Sequence, residues 1–437
     1  MKIWAGVSAL LLSVGSLLYG QAVPNTTISS TGANSSGFPL DGTLHYAMTA
    51  SEIVQFGFYG SGETTSSTNL SADAAYTSKS ENRPFSMVLA GGVGLANGQG
   101  QGTYTYWNLA ATQGLITRRW AFNISDSFSF LPQSPTTGLS GIPGVGDLGA
   151  LPVQGPTEGP GGGVLTYSGD RVINQVSGSA ERQLSSATSI SGVGSWSIIH
   201  FLDDNAGLDS SSETGSVALN RRLDARSSAS LDAVYSTYSY GNAGVSQGYP
   251  PFQTKGINLS FQRLLSRSLS MSVSAGPLWI SSSDSALVPS RLSVAASASL
   301  SYNHKLTNAS LGYTRGANAG SGVLGGALSD NVSGSVAHTY GRKWVASADV
   351  GYTHSTGLQQ FLIEGSPVAV NQVYDTVFGG VQLTRGFGPH WSGYTSYTIQ
   401  HQSSIYSVMT QNAFIGNSQV FAIGVTFTPR TTRLGQF

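Results

Sequence analysis

The sequence predicts an all-β chain closed into a transmembrane antiparallel up-and-down β-barrel of about 18 strands, with 16 as the alternative. Three observations carry that reading. Strands alternate with period two and have a polar face built of Ser rather than of charge. Aromatic residues gather at strand ends. Tight basic turns alternate along the chain with longer acidic loops. Composition had already narrowed the choice: 437 residues hold 21 Lys+Arg against 21 Asp+Glu, and only 10% of the chain is charged. A soluble surface takes roughly 25–35% charged residues. The 56 Gly show no three-residue period, which excludes collagen, and 40% apolar with 10% aromatic content disfavours disorder. A nucleic-acid partner would need a basic excess that is absent.

The strands come first. Leu269-Ser-Met271-Ser-Val273-Ser-Ala275 alternates without a fault, as do Leu292 to Tyr302 and the closing Phe421-Ala-Ile423-Gly-Val425-Thr-Phe427. One face is aliphatic or aromatic and the other is Ser, Thr, Gly or Ala. A soluble sandwich would put charge on its solvent face. A membrane barrel turns the apolar face to lipid and the small polar face to the lumen. Trp120, Trp279, Tyr302, Tyr340, Trp344 and Trp391 sit at strand ends, where a membrane interface favours them.

The turns set the count. Eight short ones carry basic residues: Ser80–Pro84, Gly114–Arg119, Glu181–Ser186, Arg221–Arg226, Arg263–Arg267, His304–Asn308, Tyr340–Trp344 and Arg385–His390. Fourteen of the 20 Lys+Arg that follow Lys2 lie at or beside them. The longer connections hold acids, among them Glu63, Asp147, Glu158, Asp203, Asp204, Asp209, Glu213, Asp284, Asp330 and Glu364. Eight hairpins give sixteen strands. An N-terminal strand near Glu52–Tyr59 and a closing strand near Gln419–Thr428 make eighteen, with both termini at the short-turn end. The alternation falters at Thr49-Ala-Ser-Glu52; were that segment a plug or helix, sixteen would stand.

Ahead of the barrel, Lys2, the apolar run Ile3 to Leu18 and the small residues Gly20 and Ala22 read as a signal peptide, residues 1–22. Residues 23–43 then form a periplasmic segment, 44–428 the barrel and 429–437 a tail. There is no Cys, so disulfides and thiolate metal sites are excluded.

On these residues the chain resembles Gram-negative outer-membrane β-barrels of the porin type. The closing strand is the most specific part: Gly424, Val425 and Phe427 match the glycine, hydrophobic and aromatic positions of the family's insertion signal, although the tail runs on to Phe437. The overall make-up is also similar to uncharacterised acidobacterial barrel proteins, a likeness that carries no activity. The porin resemblance implies passive diffusion of small hydrophilic solutes. Its implied partners are outer-membrane lipids, lipopolysaccharide and the barrel-insertion machinery, with a homo-oligomer allowed. A closed barrel whose external loops bind a partner or lipopolysaccharide is the alternative, and a lipid hydrolase the third.

No enzyme chemistry, cofactor or metal is expected. Gly144-Val-Gly146-Asp-Leu-Gly149 matches a dinucleotide loop in form only, because Pro/Gly-rich sequence replaces the helix that must follow. Gly244-Val-Ser246-Gln-Gly248 has the spacing of a hydrolase elbow, but Pro250 and Pro251 block its helix. The seven His form no metal-binding or triad pair. Asp203, Asp204, Asp209 and Glu213 read as a solvated acidic loop that could hold Ca²⁺ or Mg²⁺ loosely. Strand parity turns Asp73, Asp232, Asp349, Gln382 and Tyr394 into the lumen. The external loop 131–168, long and structureless, is either a constriction loop folded into the lumen, with Leu139, Ile142, Val145, Asp147 and Leu148 as its residues, or a disordered or surface-folded segment. Asp126 breaks the scheme: its parity with Phe122, Ile124 and Phe128 faces it to lipid, unless a bulge intervenes or the strand leaves the membrane first.

Overall fold

A computed structural model describes residues 42–57, 64–97, 103–131, 164, 170–202, 207–241, 249–320, 322–341, 343–362, 369–405, 413–430 and 432–434. The first nine strands are β1 (Gly42–Phe56), β2 (Thr64–Ser78), β3 (Phe85–Asn97), β4 (Thr103–Ile116), β5 (Trp120–Leu131), β6 (Arg171–Gln183), β7 (Thr188–Phe201), β8 (Ser210–Arg222) and β9 (Ser227–Tyr240). The next nine are β10 (Phe252–Leu264), β11 (Leu269–Ser282), β12 (Arg291–His304), β13 (Thr307–Asn318), β14 (Ala327–Tyr340), β15 (Trp344–Leu362), β16 (Ala369–Gly386), β17 (Trp391–Ile405) and β18 (Gly416–Phe427). Each strand pairs antiparallel with its sequence neighbours, and β1 pairs with β18 from Met48↔Phe427 to Phe56↔Gln419. The sheet is thereby closed, an eighteen-stranded barrel with no free edge. Thr49-Ala-Ser-Glu52 lies inside β1, which removes the sixteen-strand alternative. At the seam the Thr49 and Thr426 hydroxyls meet at 2.9 Å. Pro429 has no N–H and interrupts the ladder. Three tail residues beyond it, β19 (Thr432–Leu434), rejoin Gly42–Leu44 of β1.

All eight short turns lie where the basic residues mark them, and several share one construction. The Leu184 amide donates to the Thr188 carbonyl at 3.0 Å, Leu223 to Ser227 at 3.0 Å, Leu265 to Leu269 at 2.9 Å and Phe387 to Trp391 at 2.9 Å. In three of them the next residue caps the turn with its side chain: Ser185 Oγ accepts from the Thr188 amide, Asp224 Oδ1 from Arg226, and Ser266 Oγ from Ser268. The Arg226 amide, 2.6 Å away, holds the fully exposed Asp224 carboxyl below its ordinary value. The tightest turn, Lys305-Leu306 between His304 and Thr307, puts Lys305 at φ 45°, the left-handed region.

Alternation sorts the side chains. On the outer wall Leu70, Ile124, Val217, Leu259, Leu292 and Ile423 stand exposed. On the inner wall hydroxyls pair across strands, as Ser125 with Ser177 (2.6 Å), Ser197 with Ser212 (2.7 Å) and Ser274 with Ser297 (2.7 Å). Each such pair satisfies polar atoms that an apolar lumen would leave dry. No described helix is long and apolar enough to cross a membrane.

Two expected loop acids belong instead to strands. Glu213 is in β8 and Asp330 in β14, both with the parity of the outer wall. Asp126 faces outward too. The β5 register runs unbroken through Asp126↔Ala111 and Asp126↔Val176, so no bulge is present. The Asn174 amide, on the next strand, donates to it at 3.0 Å.

Candidate functional site

The barrel interior and its long-loop mouth form the candidate site. Asp73, Asp232, Asp349, Gln382 and Tyr394 lie on strands whose opposite parity carries the exposed Leu70, Leu231, Val350, Val381 and Ile399. Asp73 is 4% exposed, with Ala47 and Ala90 as its cross-strand neighbours. Asp232 accepts from Asn258 Nδ2 at 3.2 Å. Asp349 lies against Gly380, and Gln382 donates to Thr384 Oγ1 at 3.2 Å. Tyr394 packs with Ile53, Tyr106, Val420 and Ala422, a contact that joins the β4 wall to the seam. Its ring lies flat on Gly424, where a Cβ would come within 2.6 Å of it. That close approach gives Gly424 a packing role beside its place in the closing strand. Val425 stands exposed on the outer wall, and Phe427, of the same parity, packs at a 50° tilt against Trp391 with ring centroids 4.9 Å apart.

Of the candidate constriction loop, 131–168, only Leu131 and Val164 are described; Leu139, Ile142, Val145, Asp147 and Leu148 lie outside the described residues. So do the signal-peptide residues, Asp203, Asp204 and the Gly244–Gly248 elbow. Asp209 is held by His200, Nδ1 to Oδ2 at 2.6 Å, and by the Phe201 amide. Among the described residues no group of three His, Asp or Glu could hold a metal ion.

Among the described residues, the short Gly-rich link between β13 and β14 reaches across the mouth. The Leu208 amide, in the β7–β8 loop, donates to the Gly322 carbonyl at 2.7 Å. These two loops are six strands apart, so the link reaches over the lumen. Gly322 adopts φ +76°, and a Cβ there would stand 2.5 Å from the Phe201 ring. Val323 and Leu324 are buried with Val164, Ala327, Tyr374 and Ala413. Farther round, the Leu358 amide donates to Gly326, and Gln360 to Leu287 in the β11–β12 loop. A second apolar cluster, with Phe252, Leu278, Ile280 and Leu358, fills that side. Burial in this roof raises the Tyr249 phenol.

Two basic residues also belong to the mouth and were not singled out by sequence. Arg171 is 9% exposed, and among the described residues its Nε and the Nη2 of Arg291 have no hydrogen-bond partner; both have inward parity. They begin β6 and β12, far from any short turn. The signal available was that they fall outside the turn set.

No family model matches the chain, and no curated protein matches it. Solved structures resemble it in architecture. The outer membrane protein opdK of Pseudomonas aeruginosa is 10% identical over 89% of this chain and 98% of its own, at a TM-score of 0.43. OccK9 (OpdG) of the same organism is 12% identical over 90% and 100%, also at 0.43. The siderophore receptor PirA, again from Pseudomonas aeruginosa, is 10% identical over 90% and 81%, at 0.41. Likenesses this distant assign no activity, and function must be read from the chain's own geometry.

Proposed function

We infer that the protein is a multi-pass barrel of the bacterial outer membrane and a porin-like channel for small hydrophilic solutes. One observation carries the membrane reading. On the outer wall Asp330, His354 and Asp375 form a row in register across β14, β15 and β16. Ten residues below each of them, also facing outward, stand Tyr340, Trp344 and Arg385. At about 3.4 Å per residue and a strand tilt of about 40°, ten residues span roughly 26 Å of height. A transmembrane barrel needs an apolar band of about 25 Å. Val332, Val336, Val350, Val377 and Val381 occupy the interval.

Transport follows from the contrast between the two walls. Hydroxyl and amide groups inside can replace part of a solute's hydration, and passage needs no energy source. Selectivity would come from the mouth, where the β13–β14 link narrows the way and Arg171 and Arg291 supply positive charge. Lipopolysaccharide around the long loops and the insertion machinery at the closing strand are the partners this reading expects. Planar-bilayer recording of the refolded protein tests it: discrete, long-lived open steps support the channel. Persistent silence would sink it and favour the second reading, a closed barrel whose loops bind a partner, which the apolar roof over the mouth supports.

A further inference from the structure

We propose that the short-turn rim is not a set of water-exposed turns but an anchoring collar embedded in the headgroup layer, binding the phosphates of anionic phospholipids. The proposal rests on the membrane reading above and extends it to a specific lipid partner. Arg182, Arg221, Arg263 and Arg385 close the lower ends of β6, β8, β10 and β16, all exposed and all with outward parity. None forms an ion pair among the described residues. By sequence, the short-turn end carries fourteen Lys+Arg against the three carboxylates Glu81, Glu181 and Asp224. Of these, Asp224 lies near Arg263 and is engaged by the Arg226 amide.

Two further features fix the environment as lipid rather than water or a soluble polyanion. The guanidinium of Arg182 lies over the Trp120 ring at 5.4 Å, and that of Arg385 over Trp344 at 4.9 Å, so the charges sit at the level of the aromatic girdle. Beside each basic group the turn exposes a large apolar side chain. Leu184 is 55% exposed, Leu223 56%, Leu265 43% and Phe387 60%. In water these side chains would gain nothing from their exposure. At a bilayer interface the apolar residue reaches the acyl boundary while its basic neighbour meets phosphate. A basic residue beside an anionic leaflet is worth about fivefold in binding.

Native mass spectrometry of the full chain, extracted from bilayers mixing phosphatidylglycerol with phosphatidylcholine, tests the collar. Phosphatidylglycerol should be the retained lipid. The R182Q/R221Q/R263Q/R385Q variant should lower that enrichment at least tenfold, while Lys255→Gln, near the opposite end of the outer wall, should leave it unchanged. A polarity-sensitive dye on Leu184→Cys should report an interfacial environment. Equal retention of both lipids by the unaltered chain, undiminished enrichment in the quadruple variant, or a fully aqueous dye signal would each overturn the proposal. Failure to insert into any bilayer would instead overturn the membrane reading.

Discussion

If the β13–β14 link narrows the mouth, forcing it out of its seat must raise conductance. Gly322→Val does this in two ways. At φ +76° a side chain costs about 1–2 kcal/mol, and a β-branched one is at the unfavourable end. The new Cβ would also stand 2.5 Å from Phe201, an overlap worth about 1–3 kcal/mol in a packed site. Together they weaken the seat by roughly 2–5 kcal/mol. What opposes them is the Leu208–Gly322 hydrogen bond, about 1 kcal/mol, and the burial of Val323 and Leu324, about 1.5–3 kcal/mol each. The ranges overlap, so Gly322→Val should populate a displaced link in part, and Gly322→Val with Leu324→Ser should displace it in most molecules. Single-channel conductance should rise in that order. Gly341→Val supplies the control: it also has positive φ, at 62°, but lies at the short-turn end with open space around its Cβ. It should leave conductance alone. Unaltered conductance in both mouth variants, with the barrel folded by its heat-modifiable gel mobility, would refute the idea that this link narrows the channel.

Three other outcomes are expected. Asp126→Leu removes a carboxylate from the lipid-facing wall and should stabilise the barrel by about 1–2 kcal/mol in reversible urea unfolding from bilayers; a loss of stability would mean that the Asn174 contact outweighs the cost of the charge. Lys305→Gly relieves the left-handed residue of the β12–β13 turn and should gain about 0.5 kcal/mol by the same measurement; destabilisation would locate the turn's conformation elsewhere. The carboxyl of Asp224 is depressed when folded, so its cap is fully made above the ordinary carboxylate value of 3.8 and is lost as pH falls through the lower folded value. Hydrogen exchange at the Arg226 amide should therefore quicken on acidification, relative to the Ser268 amide in the Ser-capped turn. In Asp224→Ser that difference should vanish, and its persistence would show that the carboxylate is not the cap.

Period two was enough to find the strands, because a barrel wall has only two faces and each was chemically uniform: Leu269 to Ala275 could be sorted inward and outward without any partner strand. The turns were equally legible, since Arg-x-Leu-Ser and its relatives repeat where the chain reverses. The mouth was not. Ala319 to Gly326 is short, neutral and Gly-rich, and nothing local says that it leans across to Leu208 rather than lying along the rim. What ties this link to the opposite rim is a backbone hydrogen bond between loops more than a hundred residues apart in sequence.

Asp126 marks the same boundary from the other side. Its outward parity is readable in the sequence, where a bulge or an early exit from the membrane are the two ways to resolve it. Register supplies what a single strand cannot. Asn174 lies on β6 with the same outward parity and offers its amide to that carboxylate, and on β1 Glu52 receives the Thr68 hydroxyl of β2 at 2.7 Å in the same manner. A charge facing hydrocarbon costs less when hydrogen-bond donors accompany it. Each of these carboxylates has a donor on the adjacent strand, one at its register partner and the other two residues from it. The barrel therefore keeps both acids by placing polar donors beside them, with the backbone ladder unbroken at both positions.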